Sequence, residues 1–345
     1  MNFSSDAMAD FEGLLEVNRK ICQQQMAEKA SPTLPTNCAV LPQHALEINT
    51  AERGVIVRIQ DILTDGRIHL SCEIFPPKAF SGMEQAASLT REIASLHPDF
   101  ISVTYGAAGN TPRHTLALAQ EVEKCGVTSL CHLTCLQSTR EQVTQVLDQM
   151  QTAGMENVLA LRGDMPKEGA PAGDFTHAAD LIRFIKARGS FCVGAACYPE
   201  GHPESVSRQQ DLDYVRAKVD AGADFLTTQM FFDNAILYNF LFRALRRGIR
   251  VPVVAGIMPI TDTRLLKRTV QLSGAALPPR FAAIADRFWD DPKAMAQAGV
   301  AFATEQIIDL IANGVNHIHL YTMNKPWITR AILSNLSEIL GHAAL

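Results

Sequence analysis

Glu73 is the residue in this chain that most needs explaining. It interrupts the largely apolar run Ile68-His-Leu-Ser-Cys-Glu-Ile-Phe75, and Pro76 and Pro77 stop the chain just after it. A carboxyl turned into a packed interior is desolvated, which favours the protonated form and suits a general acid near neutral pH. Pairing with Lys78 or Arg162 is the plainer alternative. A second acid, Asp164, closes the stretch Asn157-Val-Leu-Ala-Leu-Arg-Gly-Asp164. Burying a cation and an anion by accident is costly, so Arg162, Gly163 and Asp164 belong at an opening. His132 sits inside Cys131-His-Leu-Thr-Cys135, either as a hydrogen-bonded packing residue or as a contact to something bound. Zinc is disfavoured there, because strand neighbours point to opposite faces and the two cysteines lie roughly 13 Å apart along the strand. Asp211 and Lys218 are seven residues apart, on one face of a helix two turns along, as an exposed ion pair or a binding pair. Gln229 sets an amide beside the apolar Met230-Phe-Phe232.

These residues fall at regular points of a repeating pattern. Candidate strands are Ile68–Phe75, Asp99–Tyr105, Val127–Thr134, Asn157–Leu161, Phe191–Cys197, Asp224–Gln229, Val251–Gly256 and Asn316–Thr322. The first seven are each followed by a helical pattern, such as Met83–Leu96, Thr115–Cys125, Glu141–Ala153 or Val206–Ala221. A spacing of about thirty residues fits one strand, one helix and two loops, the unit of a parallel sheet. Glycines at 126, 154, 189, 222, 248 and 314 stand just before the next strand, where a helix C′ glycine is expected. No GxGxxG follows the first strand, which removes the main sign of a doubly wound nucleotide fold. Eight units predict a closed (β/α)8 TIM barrel over residues 67–345. Leu277-Pro-Pro279 signals extra helices between strands seven and eight, and residues 1–66 form an N-terminal extension that is partly helical. Active sites of such barrels gather at the carboxyl ends of the strands, where Glu73, His132, Asp164 and Gln229 fall.

Composition narrows the partners. Of 345 residues, 47% are hydrophobic and the net charge is -5, so no nucleic acid or anionic membrane is expected as partner. No run approaches a membrane span, and the acidic first twelve residues do not read as a secretory signal. Eight cysteines without a CxxC pair fit free thiols in a reducing cytoplasm. His317-Ile-His319 has the spacing of a metal pair, but no matching carboxylate or lysine pattern accompanies it. Arg162-Gly-Asp164, at the end of a buried strand, does not suit an adhesion motif.

Taken in order, eight motifs resemble methylenetetrahydrofolate reductase. They are Ser71-Cys-Glu-Ile-Phe-Pro-Pro77, Ser102-Val-Thr-Tyr-Gly106, His132-Leu-Thr134, Ala160-Leu-Arg-Gly-Asp164, Tyr198-Pro-Glu-Gly-His-Pro203, Lys218-Val-Asp-Ala-Gly-Ala223, Thr228-Gln229 and Tyr321-Thr-Met-Asn324. Each is weak alone; in this order, at strand ends or the adjoining helix, they span about residues 68 to 335. The resemblance implies a flavoprotein barrel. It would bind FAD, take hydride from NADH or NADPH by ping-pong kinetics, and reduce 5,10-methylenetetrahydrofolate to 5-methyltetrahydrofolate for one-carbon metabolism and methionine synthesis.

Carried over by residue, the resemblance implies that Glu73 is the general acid that helps open the five-membered folate ring. Asp164 would lie near both the pterin and the flavin pyrimidine edge, placing negative charge there. Gln229 would bond the pterin or the nicotinamide amide, and Thr104 would sit beside the reacting flavin nitrogen. Tyr105, Ala107, His132, Arg162, Gly163, Tyr198, His202, Asp211 and Lys218 match FAD contacts, with Ala178 and Ser205 on weaker local matches. Lys325 stands where the family has arginine facing the folate glutamate tail; lysine keeps the charge and loses the planar fork. His177 stands near a family tyrosine. The chain ends at Leu345, so the feedback domain of eukaryotic members is not expected; a cytoplasmic homo-oligomer is. The alternatives are another FAD barrel, such as a proline dehydrogenase, and a partner-dependent subunit that binds folate or flavin.

Overall fold

The computed structural model describes residues 57–77, 79–105, 112–165 and 173–341. The compact unit runs from Arg58 to Leu345. Most of the expected N-terminal extension, and Ala107, lie outside the described residues.

Eight strands close on themselves in sequence order, every neighbouring pair parallel. They are β1 (His69–Ile74), β2 (Phe100–Val103), β3 (Thr128–Thr134), β4 (Asn157–Leu161), β5 (Cys192–Cys197), β6 (Phe225–Thr228), β7 (Val253–Ile257) and β8 (His317–Tyr321). Each lies within two residues of its expected bounds. The helices are α1 (Ile59–Ile62), α2 (Met83–Ala94), α3 (Pro112–Lys124), α4 (Arg140–Thr152), α5 (Ala178–Lys186), α6 (Arg208–Asp220), α7 (Asn234–Arg246), α8 (Thr263–Ser273), α9 (Pro279–Arg287), α10 (Pro292–Ala312) and α11 (Pro326–Leu340). The extra helices expected between the seventh and eighth strands are therefore present. Two of the three helices in that connection meet through Phe281 (α9) and Phe302 (α10), whose rings are tilted by 46° with centroids 4.5 Å apart.

Period decides which side chains go where. In α2 the buried Ala86, Thr90, Ile93 and Ala94 recur at helical spacing and face the sheet. In α4, Thr139 and Gln142 form a reciprocal capping box that satisfies two first-turn N–H groups. In the strands the alternation separates two cores. Leu70, Cys72, Ile74, Ile101, Val103, Cys131 and Leu133 pack outward against the helices. Phe100, Leu130, Leu159, Cys192, Phe225 and Val254 fill the barrel interior together with Ile59 and Leu63.

The N-terminal end of the barrel is thus plugged by α1, whose Ile59 is fully buried and whose N–H donates to Asn157 Oδ1 at 2.9 Å. Beside it His69 is held between Asp99 and Asp65, each 2.8 Å from a ring nitrogen, and stacks on His317 at 5.7 Å. With that end filled, inward-pointing polar side chains gather at the other end.

Candidate active site

Strand register brings the polar side chains into one layer. Glu73 pairs with Ser102 on β2 and with Tyr321 on β8, while Ser71 pairs with His319. All five residues sit at inward positions of the pleat, and so does His132 on β3. Glu73 Oε2 lies 3.7 Å from His132 Nε2 and 3.9 Å from His319 Nε2. One carboxylate oxygen is therefore bracketed by two imidazoles.

The backbone of Glu73 is fixed from the end of β8. Thr322 donates its hydroxyl to the Glu73 carbonyl at 2.6 Å. The Asn324 amide both donates to the Phe75 carbonyl at 2.8 Å and accepts the Phe75 N–H at 3.0 Å. Asn324 adopts φ 53°, a left-handed conformation that asparagine tolerates better than most residues. The closing motif Tyr321-Thr-Met-Asn324 thus holds the acid in place.

The protonation states in this layer are separable. Burial pushes His132 down to about 4, against the raising pull of Glu73 and with a smaller push from His319. Its Nε2 is buried with no hydrogen-bond partner among the described residues. Burial holds the Tyr321 phenol well above its ordinary range, with Glu73 adding to the effect. That hydroxyl donates to the Thr228 carbonyl at 2.7 Å. Gly256 makes the contact possible, since a Cβ there would lie 2.6 Å from the phenol oxygen. Tyr198 is likewise raised by burial, eased by a bond with Gln229.

A second group lines the rim at β4, β5 and α6. Lys218 donates Nζ to the Ala196 carbonyl at 2.8 Å, and burial pulls its ammonium below the ordinary value, partly offset by Cys197 and Asp211. Buried Asp211 accepts from Ser205 Oγ at 3.3 Å. His202 stands edge-on to Tyr198 at 4.6 Å, and burial followed by Arg162 lowers its titration. Arg162 pairs with Glu204 at 2.7 Å. Gly163 has φ 87°, and a Cβ there would lie 3.1 Å from Thr134 Cβ, so the position is open to glycine on both grounds.

The remaining expected residues are spread along the same end of the barrel. Thr104 and Tyr105 follow β2 and are half-buried; Thr104 accepts from Thr115 Oγ1 at 3.0 Å. Asp164 is exposed beyond β4. Gln229 follows β6 and accepts the Met230 N–H at 2.9 Å. Lys325 is the N-cap residue just before α11, with Nζ 3.5 Å from Thr261 Oγ1. Ala178 is buried in the first turn of α5 and offers backbone rather than a reactive side chain. His177, just before it, stacks on Tyr214 at 5.8 Å. Asp211 and Lys218 do not form the exposed salt-bridge face that their spacing allows; one is buried and the other is half-buried against β5. Sequence reasoning misses Ser71, Ser102 and His319 as site residues. The signal lies in period-2 alternation, which puts the second histidine of His317-Ile-His319 on the same inward side as Glu73.

Against this geometry, comparison with known proteins is specific. A family model described as methylenetetrahydrofolate reductase matches residues 58–337. The 5,10-methylenetetrahydrofolate reductase of Pectobacterium carotovorum subsp. carotovorum is 34% identical over 272 residues, covering 79% of this chain and 91% of that protein. Methylenetetrahydrofolate reductase (NADH) 1 of Arabidopsis thaliana is 34% identical over 302 residues, 83% of this chain and 51% of its own length. A solved structure of an uncharacterized protein from Clostridium thermocellum, which binds two copies of 5-methyl-5,6,7,8-tetrahydrofolic acid, aligns with TM-score 0.57 at 13% identity. It covers 83% of this chain and 99% of that one, and at that identity the likeness shows the fold alone.

Proposed function

The chain belongs to the methylenetetrahydrofolate reductase family, and from that premise we propose how its own residues carry out the reaction. It is an oxidoreductase that reduces 5,10-methylenetetrahydrofolate to the 5-methyl form. Membership also sets aside the proline-dehydrogenase-like alternative.

The residues fit FAD. The observation that favours it most is the orphaned, buried Nε2 of His132 in the interior layer, a polar atom that a bound group would satisfy. Lys218 and Arg162 supply cationic donors suited to a diphosphate, and Gly163 leaves room for close backbone approach. Asp211, His202 and Ser205 would hold the ribose and diphosphate side, with Ala178 offering backbone. Thr104, Tyr105, Ala107 and Tyr198 would line the isoalloxazine. When bound, FAD supplies the two-electron chemistry that joins a nicotinamide donor to the folate. NADH or NADPH would be that donor; the Arabidopsis relative carries NADH in its name.

The proton source that the family resemblance implies is Glu73, and the states of its neighbours are consistent with that role. Tyr321 and Tyr198 hold their protons far above neutral pH, and His132 is already neutral there. Glu73 would be the acid that gives a proton to the folate ring nitrogen as the five-membered ring opens, leaving a cationic iminium. Asp164, exposed at the opening, would favour that cation by charge. Gln229 would bond the pterin or the nicotinamide amide, and Lys325 would meet a carboxylate of the glutamate tail.

Substituting Glu73→Gln tests the assignment. The variant should retain flavin and be bleached by NADH at the native rate, yet lose folate reduction by about a hundredfold or more, the usual weight of general acid catalysis. Equal loss of both half-reactions would make Glu73 structural.

A further inference from the structure

His319 lies at the centre of a hydrogen-bond set that no role above uses. Its Nδ1 is 2.7 Å from Ser71 Oγ, and its Nε2 is 3.1 Å from Ser102 Oγ. The ring is 2% exposed, stacks at 6.0 Å on Phe100 and meets Tyr321 edge-on at 5.5 Å. Three strands (β1, β2 and β8) therefore fix its orientation.

The hydroxyl bookkeeping sets the tautomer. Ser71 Oγ donates its one hydrogen to the Ile318 carbonyl at 3.1 Å. We assign Nδ1–H as the donor to Ser71 Oγ across the 2.7 Å contact, the tautomer in which the Ser71 hydrogen serves Ile318. In the neutral ring this leaves one Nε2 lone pair between Ser102 Oγ at 3.1 Å and Glu73 Oε2 at 3.9 Å, able to accept a single hydrogen from either side. A lone pair facing a bare carboxylate repels it. The two groups are complementary when one dissociable proton lies between them, on either Oε2 or Nε2. His132, the other imidazole facing that oxygen, is neutral at working pH, and its Nε2 has no hydrogen-bond partner among the described residues.

We propose that His319 is a positioning residue for Glu73, pinned by Ser71 and Ser102 so that its Nε2 orients the carboxyl and retains the proton that Glu73 delivers to the folate. The titratable groups around it are Glu73 on β1, His132 on β3 and Tyr321 on β8 itself. Of these, Tyr321 keeps its proton and His132 stays neutral. This inference rests on the role proposed for Glu73.

The test uses the flavin-loaded full chain and measures both half-reactions against pH. A glutamine at 319 sets an amide near the position of Nε2, whereas asparagine reaches only the position of Nδ1. His319→Gln and His319→Asn should both be reduced by NADH at the native rate. The folate half-reaction should fall about tenfold or more in His319→Asn, part of the acid-catalytic factor, with partial rescue in His319→Gln. Its pH profile should shift in both. Combining His319→Asn with Glu73→Gln should be no slower than Glu73→Gln alone. Native folate rates and an unshifted profile in both variants, or additive losses in the double variant, would overturn the proposal. If the variants do not fold, 15N-histidine NMR of the full chain decides: Glu73→Gln should move the His319 ring signals and leave those of His69 unchanged. No movement at His319 would likewise overturn it. Loss of folate reduction in Glu73→Gln with no effect of His319 would refute this inference alone. A native chain without flavin would refute the reading beneath it.

Discussion

A carboxyl at the end of an apolar strand is legible as an acid from its sequence neighbours, because burying such a group without purpose is costly. What single residues do not reveal is their company. Glu73 Oε2 faces two imidazoles from strands far apart in sequence. His317-Ile-His319 has only the spacing of a metal pair to recommend it, because local spacing says nothing of the serines that β1 and β2 present to it. The histidines also make an acid-stability prediction. Burial pushes His132 to about 4; burial and then His69 bring His317 to about 4. A histidine held neutral stabilises the fold fully above its unfolded value of about 6.5 and loses that contribution as pH falls toward 4. His69 runs the other way: burial alone would lower it, but Asp99 and Asp65 raise it, so its contribution is full below 6.5 and lost as pH climbs through its raised value. Two large downward shifts outweigh one smaller upward shift. The Tm should fall between about pH 6.5 and 4, and His132→Gln should make that slope shallower. A Tm that is flat or rising over that range would contradict this balance.

At the level of elements, the strands are legible because each is a short apolar run bounded by a glycine-ended helix and a polar loop. The glycines before each next strand do take positive φ, for example 77° at Gly126 and 79° at Gly314. Asp211 and Lys218 are legible as a pair on one helix face, while the choice between an exposed salt bridge and a binding pair depends on where α6 sits. The helix α1 is not legible. Four residues are too few to show a period, and by sequence Ile59–Ile62 falls in the N-terminal extension instead of the barrel. Its work is to fill the end of the barrel opposite the site, through Ile59 and Leu63 against Phe100, Leu130 and Phe225. Ile59→Ala should therefore cost about 2–4 kcal/mol, the range for a fully buried aliphatic side chain. Denaturant unfolding would register it as a lower midpoint with little change in slope, and an unaltered midpoint would show that α1 is dispensable packing.

For the whole molecule, the barrel separates two tasks. One end is closed by α1 and the His69 cluster; the other gathers Glu73, His132, His319 and Gln229 inside a rim bearing Arg162, Asp211 and Lys218. Parallel closure in sequence order explains why motifs scattered over more than two hundred residues converge, which only the repeat of strand and helix announces in the sequence. No helix among the described residues is long and apolar enough to cross a membrane. The central claim is that this opening holds a flavin that is reduced by a nicotinamide donor and reoxidised by the folate. Anaerobic spectroscopy of the purified native chain tests it most directly. The account predicts a yellow protein whose flavin band bleaches on adding NADH or NADPH and returns on adding 5,10-methylenetetrahydrofolate. A colourless protein that takes up no FAD, or a bound flavin that neither nicotinamide donor reduces, would contradict it.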